Sequence, residues 1–295
     1  MKNRMLGTIY LVIAVLIWGS TFVAQSVGMD KIGPFTFQAC RCVLAVLFLI
    51  PMIGLFEVHD LGNFIHKWLQ KDLWIAGSLC GLSLFAAASL QQVSLVSTDA
   101  GRAGFLTALY VIFVPILALL WGKRLQVNVV ISIALSVAGL YLLSGVGISD
   151  MQRGDMMLLG SAFCFAIQIT LIEKFGSHVD GLRLNCIQCF VTAVLSGIFM
   201  IIAETPQMAD ILTCWLPISY AGVLSMGVAY SLQVLGQQRL ESTPATIIMS
   251  TEGVVAAICG WLILQETMST KEVLGCGLVF AAVVISQITF KKAKK

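Results

Sequence analysis

Two ionisable side chains, Arg41 and Glu252, stand in stretches that are otherwise apolar. A guanidinium keeps its proton, so the chemistry open to Arg41 is gripping an anionic group. A carboxylate such as Glu252 holds an amine, or takes up and releases a proton where its surroundings favour the neutral form. Amides accompany them in apolar stretches, among them Gln25, Gln38, Gln91, Gln168, Gln188 and Gln233. An amide donates and accepts hydrogen bonds without a fixed charge, which suits a small polar or zwitterionic solute better than a bare ion. Polar groups at membrane depth are costly and usually face a bundle interior or a wet cavity. They also tie helices to one another, so each glutamine is open to either role. Trp18, Tyr110, Phe163 and Tyr230 offer a similar choice, between packing and a face for a ring or an amine. The set expected to touch a solute is Trp18, Gln91, Tyr110, Gln168, Tyr230 and Gln233, with Arg41 and Glu252 as its charged members.

The elements that must carry these residues are membrane helices. Apolar residues make up 58% of the 295 positions and charged ones 11%, with a mean hydropathy of +0.94. A soluble domain needs more charge to cover its surface, so lipid is the expected surrounding. A span takes roughly 20 apolar residues, and ten segments qualify: 5–26, 34–56, 73–93, 101–121, 127–148, 156–174, 182–203, 215–235, 244–264 and 272–290. The short loops between them make consecutive helices antiparallel neighbours. Gly77 and Gly81, four apart, mark a close helix contact.

With the N-terminus placed inside, thirteen Lys and Arg residues fall on the inner side and four (Lys31, Arg102, Arg153, Lys271) on the outer. The positive-inside rule then puts both termini in the cytoplasm of a cell-membrane protein. The basic tail at 291–295 reads as a topology anchor. Arg41, seven residues after Pro34, sits about 10 Å into its helix from outside, and Glu252, eight after Pro244, about 12 Å from inside. They approach the midplane from opposite faces. The plainer alternatives are snorkelling for Arg41 and a structural hydrogen bond near Gly253 for Glu252.

The halves echo one another. A shift of 147 residues places Gly7 on Gly154, Trp18 on Phe165, Arg41 on Gln188 and Cys42 on Cys189, and a shift of 143 places Lys123 on Glu266. Five spans is an odd number, so the second unit enters the bilayer from the opposite side. The expected architecture is an all-α membrane protein of ten helices in two inverted five-helix repeats, residues 1–150 and 151–295. Nine cysteines without neighbouring histidine ligands give no metal set. Phosphate-cradling, zinc-protease and nucleophile-elbow motifs are lacking. No cofactor and no nucleic acid is expected as partner; the partners are a small-molecule substrate and the bilayer. A channel and a membrane-embedded enzyme are the alternatives to a transporter.

Several motifs resemble the EamA family of the drug/metabolite transporter superfamily. Trp18-Gly19-Ser20-Thr21-Phe22 is similar to its opening motif, followed by Pro34 with Arg41 and by Gly101-Arg102-Ala103-Gly104-Phe105-Leu106-Thr107 leading to Tyr110 and Pro115. The second half opens on Gly154-Asp155, and its ninth segment reads Thr251-Glu252-Gly253-Val254-Val255-Ala256-Ala257 before ending at Leu264-Gln265-Glu266. The family usually has Pro where Gly253 stands and Gly where Gln265 stands. The resemblance spans the chain and implies a ten-helix secondary transporter, often an exporter, with a central cavity between repeats. It does not name the cargo, since the family handles amino acids, nucleobase-like compounds, amines and other metabolites.

Overall fold

The computed structural model describes residues 2–57, 61–98, 100–123, 125–144, 151–263 and 269–287. The basic tail at 291–295, Arg124, the 264–266 end of the ninth-segment motif and the Glu266 counterpart of Lys123 lie outside them. Among the described residues the chain is all-helical. The helices are α1 (Lys2–Met29), α2 (Pro34–Phe56), α3 (Leu61–Trp68), α4 (Lys71–Ser94), α5 (Ala100–Ala108), α6 (Tyr110–Leu120), α7 (Val127–Ser144) and α8 (Arg153–Gly176). They continue as α9 (Gly181–Ala203), α10 (Met208–Thr213) and α11 (Trp215–Ser219), a π-helical stretch Tyr220–Ala229, then α12 (Tyr230–Gln237), α13 (Ser242–Met249), α14 (Glu252–Ile263) and α15 (Thr270–Gln287).

Among the described residues eight stretches are long and apolar enough to cross a membrane, and Val127–Leu142 is a shorter apolar helix. The expected spans 127–148 and 272–290 are helical over Val127–Ser144 and Thr270–Gln287, and their far ends lie outside the described residues. Three stretches are composite: α5 with α6, α13 with α14, and α11 with the π-helical stretch and α12. The short helices α3 and α10 occupy loops that the hydropathy pattern left unassigned.

Local chemistry accounts for several ends. Pro34 opens α2 at a position where its missing N–H costs nothing. Gln152 and Asp155 form a capping box at the start of α8, and Asp180 caps α9 by accepting from the Arg183 backbone N–H. The break between α13 and α14 has a visible cause. Thr246, Ser250 and Thr251 turn their hydroxyls back onto carbonyls three residues earlier, at 2.7–2.8 Å, offering the backbone an alternative to its helical bonds.

The most extensive helix pairings are α7 with α15, α4 with α8, α2 with α9, α4 with α9 and α1 with α14. Gly77 and Gly81 of α4 take part directly, because a Cβ at either would meet Ile187 or Val191 of α9 at 2.6–2.7 Å. The largest apolar cluster runs through the centre, from Leu11 and Val15 of α1 to Ala162 and Ile169 of α8 and Ile248 of α13. Leu47, Leu55, Phe56, Ile201 and Ile202 face outward, as a lipid-bathed surface requires.

Candidate functional site

A cavity of about 40 Å³ opens inside this core, walled by α1, α2, α4, α5, α6, α8, the π-helical stretch, α12, α13 and α14. Helical periodicity aims its walls. Trp18, Thr21, Phe22 and Gln25 recur at three- and four-residue steps along one face of α1, and Tyr230 and Gln233 do so on α12. The Trp18 and Tyr230 rings meet edge to face, with centroids 4.9 Å apart. Of the residues singled out by type and depth, Trp18, Arg41, Gln91, Tyr110, Tyr230, Gln233 and Glu252 all line this one cavity. Gln168 does not; it stands behind the wall, buried and bonded to Gln188 and Gln233. Phe163 points outward, packed on Phe113.

Arg41 does not snorkel. It is only 3% exposed, and its Nη1 and Nη2 donate to Gln25 Oε1 and Gln38 Oε1. Its Nε–H has no partner, and no carboxylate forms an ion pair with it among the described residues. A cation held only by neutral amides in a low-dielectric interior keeps most of its appetite for an anion.

Glu252 mirrors this state with the opposite charge. It is the first residue of α14, immediately beyond the Ser250–Thr251 break, and Tyr110 is the first residue of α6, immediately beyond the break at Leu109. Both side chains line the cavity. Neither Glu252 Oε1 nor the Tyr110 hydroxyl has a hydrogen-bond partner. Interrupted helices that present side chains and freed backbone at mid-membrane are a common way to build a solute site.

The remaining wall is polar and partly unsatisfied. Gln91 Nε2 donates to Thr107 Oγ1 at 3.1 Å, while Trp18 Nε1 and Gln233 Oε1 lack partners. Reasoning by residue type passed over Thr21, Thr107, Phe165 and Ser225, which also line the cavity. Phe165 had a signal, as the residue that the 147-residue shift places on Trp18. Ser225 had none, because it faces the cavity from the π-helical stretch. No cluster of His, Cys, Asp and Glu able to hold a metal occurs among the described residues.

A family model for the EamA-like transporter family matches the chain twice, over residues 5–145 and again over 152–287. The chain belongs to that family. Its relatives include an uncharacterized transporter of Archaeoglobus fulgidus, 29% identical across 96% of this chain and 86% of that one. The threonine/homoserine exporter RhtA of Escherichia coli K12 is 28% identical, covering 97% of this chain and 92% of its own. The uncharacterized transporter YoaV of Bacillus subtilis is 23% identical, with both chains covered in full. A protein of known crystal structure, 20% identical, shares the fold with a TM-score of 0.76 over 95% of this chain and 96% of that one. In this EamA-like transporter the cavity draws on both matched segments: Trp18, Arg41, Gln91 and Tyr110 from the first, Phe165, Tyr230, Gln233 and Glu252 from the second.

Proposed function

We propose that this EamA-like transporter moves a small α-amino acid or close relative out of the cell, by alternating access of the cavity between Arg41 and Glu252. One observation carries the reading: a buried guanidinium without a carboxylate partner and a buried carboxylate without a cationic partner share one cavity and do not pair with each other. A zwitterion satisfies both at once, its carboxylate on Arg41 and its ammonium on Glu252, with Tyr110 alongside. A simple anion or a simple amine leaves one buried charge bare.

The exporter named among the relatives acts on amino acids, which agrees with this polarity. The two matches of one family model support a pair of repeats, and five spans in each make the pair inverted, ten helices in all. The thirteen-to-four distribution of basic residues supports cytoplasmic termini in a cell-membrane protein. On that topology, Glu173 ties to Lys123 at 2.7 Å and to the Ser242 backbone N–H at 3.2 Å on the cytoplasmic side. Without a nucleotide-binding motif, a gradient drives the flux, and no covalent step is involved.

Proteoliposomes test this with three labelled solutes: alanine, its N-acetyl derivative without the ammonium, and ethylamine without the carboxylate. Alanine should enter and should be accelerated by alanine preloaded on the far side, a response that a channel does not give. Arg41→Gln and Glu252→Gln should each lower alanine flux by at least about tenfold, the scale of one lost charge-assisted contact. Equal flux of alanine and ethylamine would overturn the zwitterion reading, and covalent change of the solute would point to an enzyme.

A further inference from the structure

α2 and α9 pack along each other and are tied at both ends. Just past the end of α9, the Glu204 carboxylate accepts from the backbone N–H groups of Phe35 and Thr36, each at 2.8 Å, and from Thr36 Oγ1 at 2.5 Å. Just past the end of α2, the Glu57 carboxylate accepts from both terminal nitrogens of Arg183 in the first turn of α9. The 147-residue shift that relates the two halves carries Glu57 onto Glu204, Thr36 onto Arg183 and Gly33 onto Asp180. The two ties are counterparts, one at each end of the helix pair, built from different chemistry.

The residue just before each helix decides that chemistry. Both stand in extended backbone, Gly33 at φ −67° and ψ 159° and Asp180 at φ −66° and ψ 122°. Asp180 caps its own helix, which leaves Glu57 to Arg183. Gly33 has no side chain to cap with, although its backbone angles suit any residue. What glycine supplies is room, because a Cβ there would stand within 2.5 Å of both Glu204 oxygens. Glu204 thus fills the cap position of α2 from another helix. The Glu57 tie joins two opposite charges in a fork buried under Phe64 and Trp68. The Glu204 tie joins one half-buried charge to neutral donors, so it is the weaker of the two. Beside it lie the stacked rings of Phe35 and Phe199, with centroids 5.3 Å apart, a contact that slides without breaking a hydrogen bond.

We propose that Glu204 is a latch on the outer face: the α2–α9 seam opens there during transport, while the Glu57–Arg183 tie stays closed as the hinge. α2 carries Arg41 between the two ties, seven residues after Pro34. Releasing the latch lets the outer half of α2 swing from α9, and the cavity that Arg41 lines then opens outward. The proposal rests on the topology and the alternating access of the reading above, and not on which solute is carried.

A cysteine in the cavity wall reads the opening. Thr21 lines the cavity, and Thr21→Cys is labelled with a membrane-impermeant maleimide, from outside in whole cells and from the cytoplasmic face in inverted vesicles. Each rate is taken over the same protein with Thr21 kept. Glu204→Ala removes both cap and tie, and should speed outside labelling at least about fivefold while lowering the melting temperature. Adding Gly33→Ser gives α2 a cap of its own, as Asp180 gives α9. The double variant should recover the melting temperature, while outside labelling stays fast and cytoplasmic labelling does not rise. Should Glu204→Ala fail to fold, the double variant alone is compared with the parent. Labelling that returns to the parent's rate in the double variant makes Glu204 a helix cap only and overturns the latch. A rise from both faces means a loosened bundle and overturns it as well. A parent labelled equally fast from both faces overturns alternating access itself, and the latch with it.

Discussion

Arg41 and Arg183 are both buried, at 3% and 0% exposure, and α2 connects their two neighbourhoods, yet the protein treats them in opposite ways. Arg183 stands near the start of α9 and grips Glu57 at the end of α2 through both terminal nitrogens, at 3.1 and 2.5 Å. Asp180 lies 3.5 Å from its Nη1, and the Phe64 and Trp68 rings cover its guanidinium with centroids at 5.3 Å. Arg41 has two glutamine oxygens and one ring, Phe37 at 5.7 Å. Both leave Nε–H bare, so the difference is the carboxylate. A cation that meets its counter-ion inside the protein serves the fold, and one that does not is available to a ligand. Glu57 shares the structural character: the Arg183 fork and the Lys67 ammonium hold its carboxyl down at about 2.

The sharpest way to break this comparison is to remove each arginine and read stability and flux together. Arg183→Leu leaves Glu57 with Lys67 alone and should cost about 1.5–3 kcal/mol, the scale of lost hydrogen bonds between charged groups, seen as a fall in melting temperature or loss of folded protein from the membrane. Arg41→Gln removes a charge that nothing in the fold neutralises. Its melting temperature should stay within a few degrees of the parent's or rise, while flux is lost. An Arg41 variant that unfolds beside a stable Arg183 variant would reverse the assignment.

A second test uses pH. The Glu57 carboxyl titrates at about 2 in the folded protein against an ordinary value near 4.5. A depressed carboxylate stabilises the fold above its unfolded value, and that stabilisation is lost as pH falls through the folded one. The parent should therefore out-melt Glu57→Gln by a constant margin above about pH 5, and the margin should shrink steadily between pH 4.5 and 2. A margin independent of pH would mean that the Arg183 cluster holds by packing rather than by charge.

The sequence made Arg41 visible and hid Arg183. An arginine in the middle of an apolar stretch is conspicuous, because hydropathy and depth go together there. Arg183 sits near a helix start beside Asp180, where it reads as an ordinary loop charge, and its burial comes from α3, a short helix too brief for hydropathy to register. The long apolar spans were legible for the reason that made Arg41 so: lipid forces a composition that no soluble surface has. The π-helical stretch was not, since the run from Tyr220 to Ala229 is an apolar run like those that form regular helices. Its trace is a pair of glycines, Gly222 and Gly227, where a Cβ would stand 2.8 Å from the Arg41 carbonyl oxygen and 2.9 Å from the Phe48 ring, so the stretch presses onto α2 beside the cavity. Gln168 shows the limit of reasoning by residue type: depth gives it the same signature as Gln233, and only the direction of the hydrogen bonds tells the wall from what stands behind it.

The smallest effect belongs to Lys67, and it refines the comparison by separating charge from desolvation. Lys67 Nζ lies 2.6 Å from Glu57 Oε1, a distance as favourable as that of Arg183, yet its side chain is 31% exposed. In water-facing surroundings the attraction of an ion pair is offset by hydration and by side-chain freedom, and such pairs contribute about 0–1 kcal/mol. Lys67→Ala should therefore shift the melting temperature by no more than a few degrees and leave alanine flux unchanged. The Arg183 fork remains on Glu57 in the Lys67→Ala background, so most of the pH-dependent margin over the corresponding glutamine variant should survive there. If Lys67→Ala instead destabilises as much as Arg183→Leu, then the number of cations around Glu57 matters more than their burial. Arg183 and Arg41 would then differ in how many neighbours they have, and not in whether the fold has neutralised them.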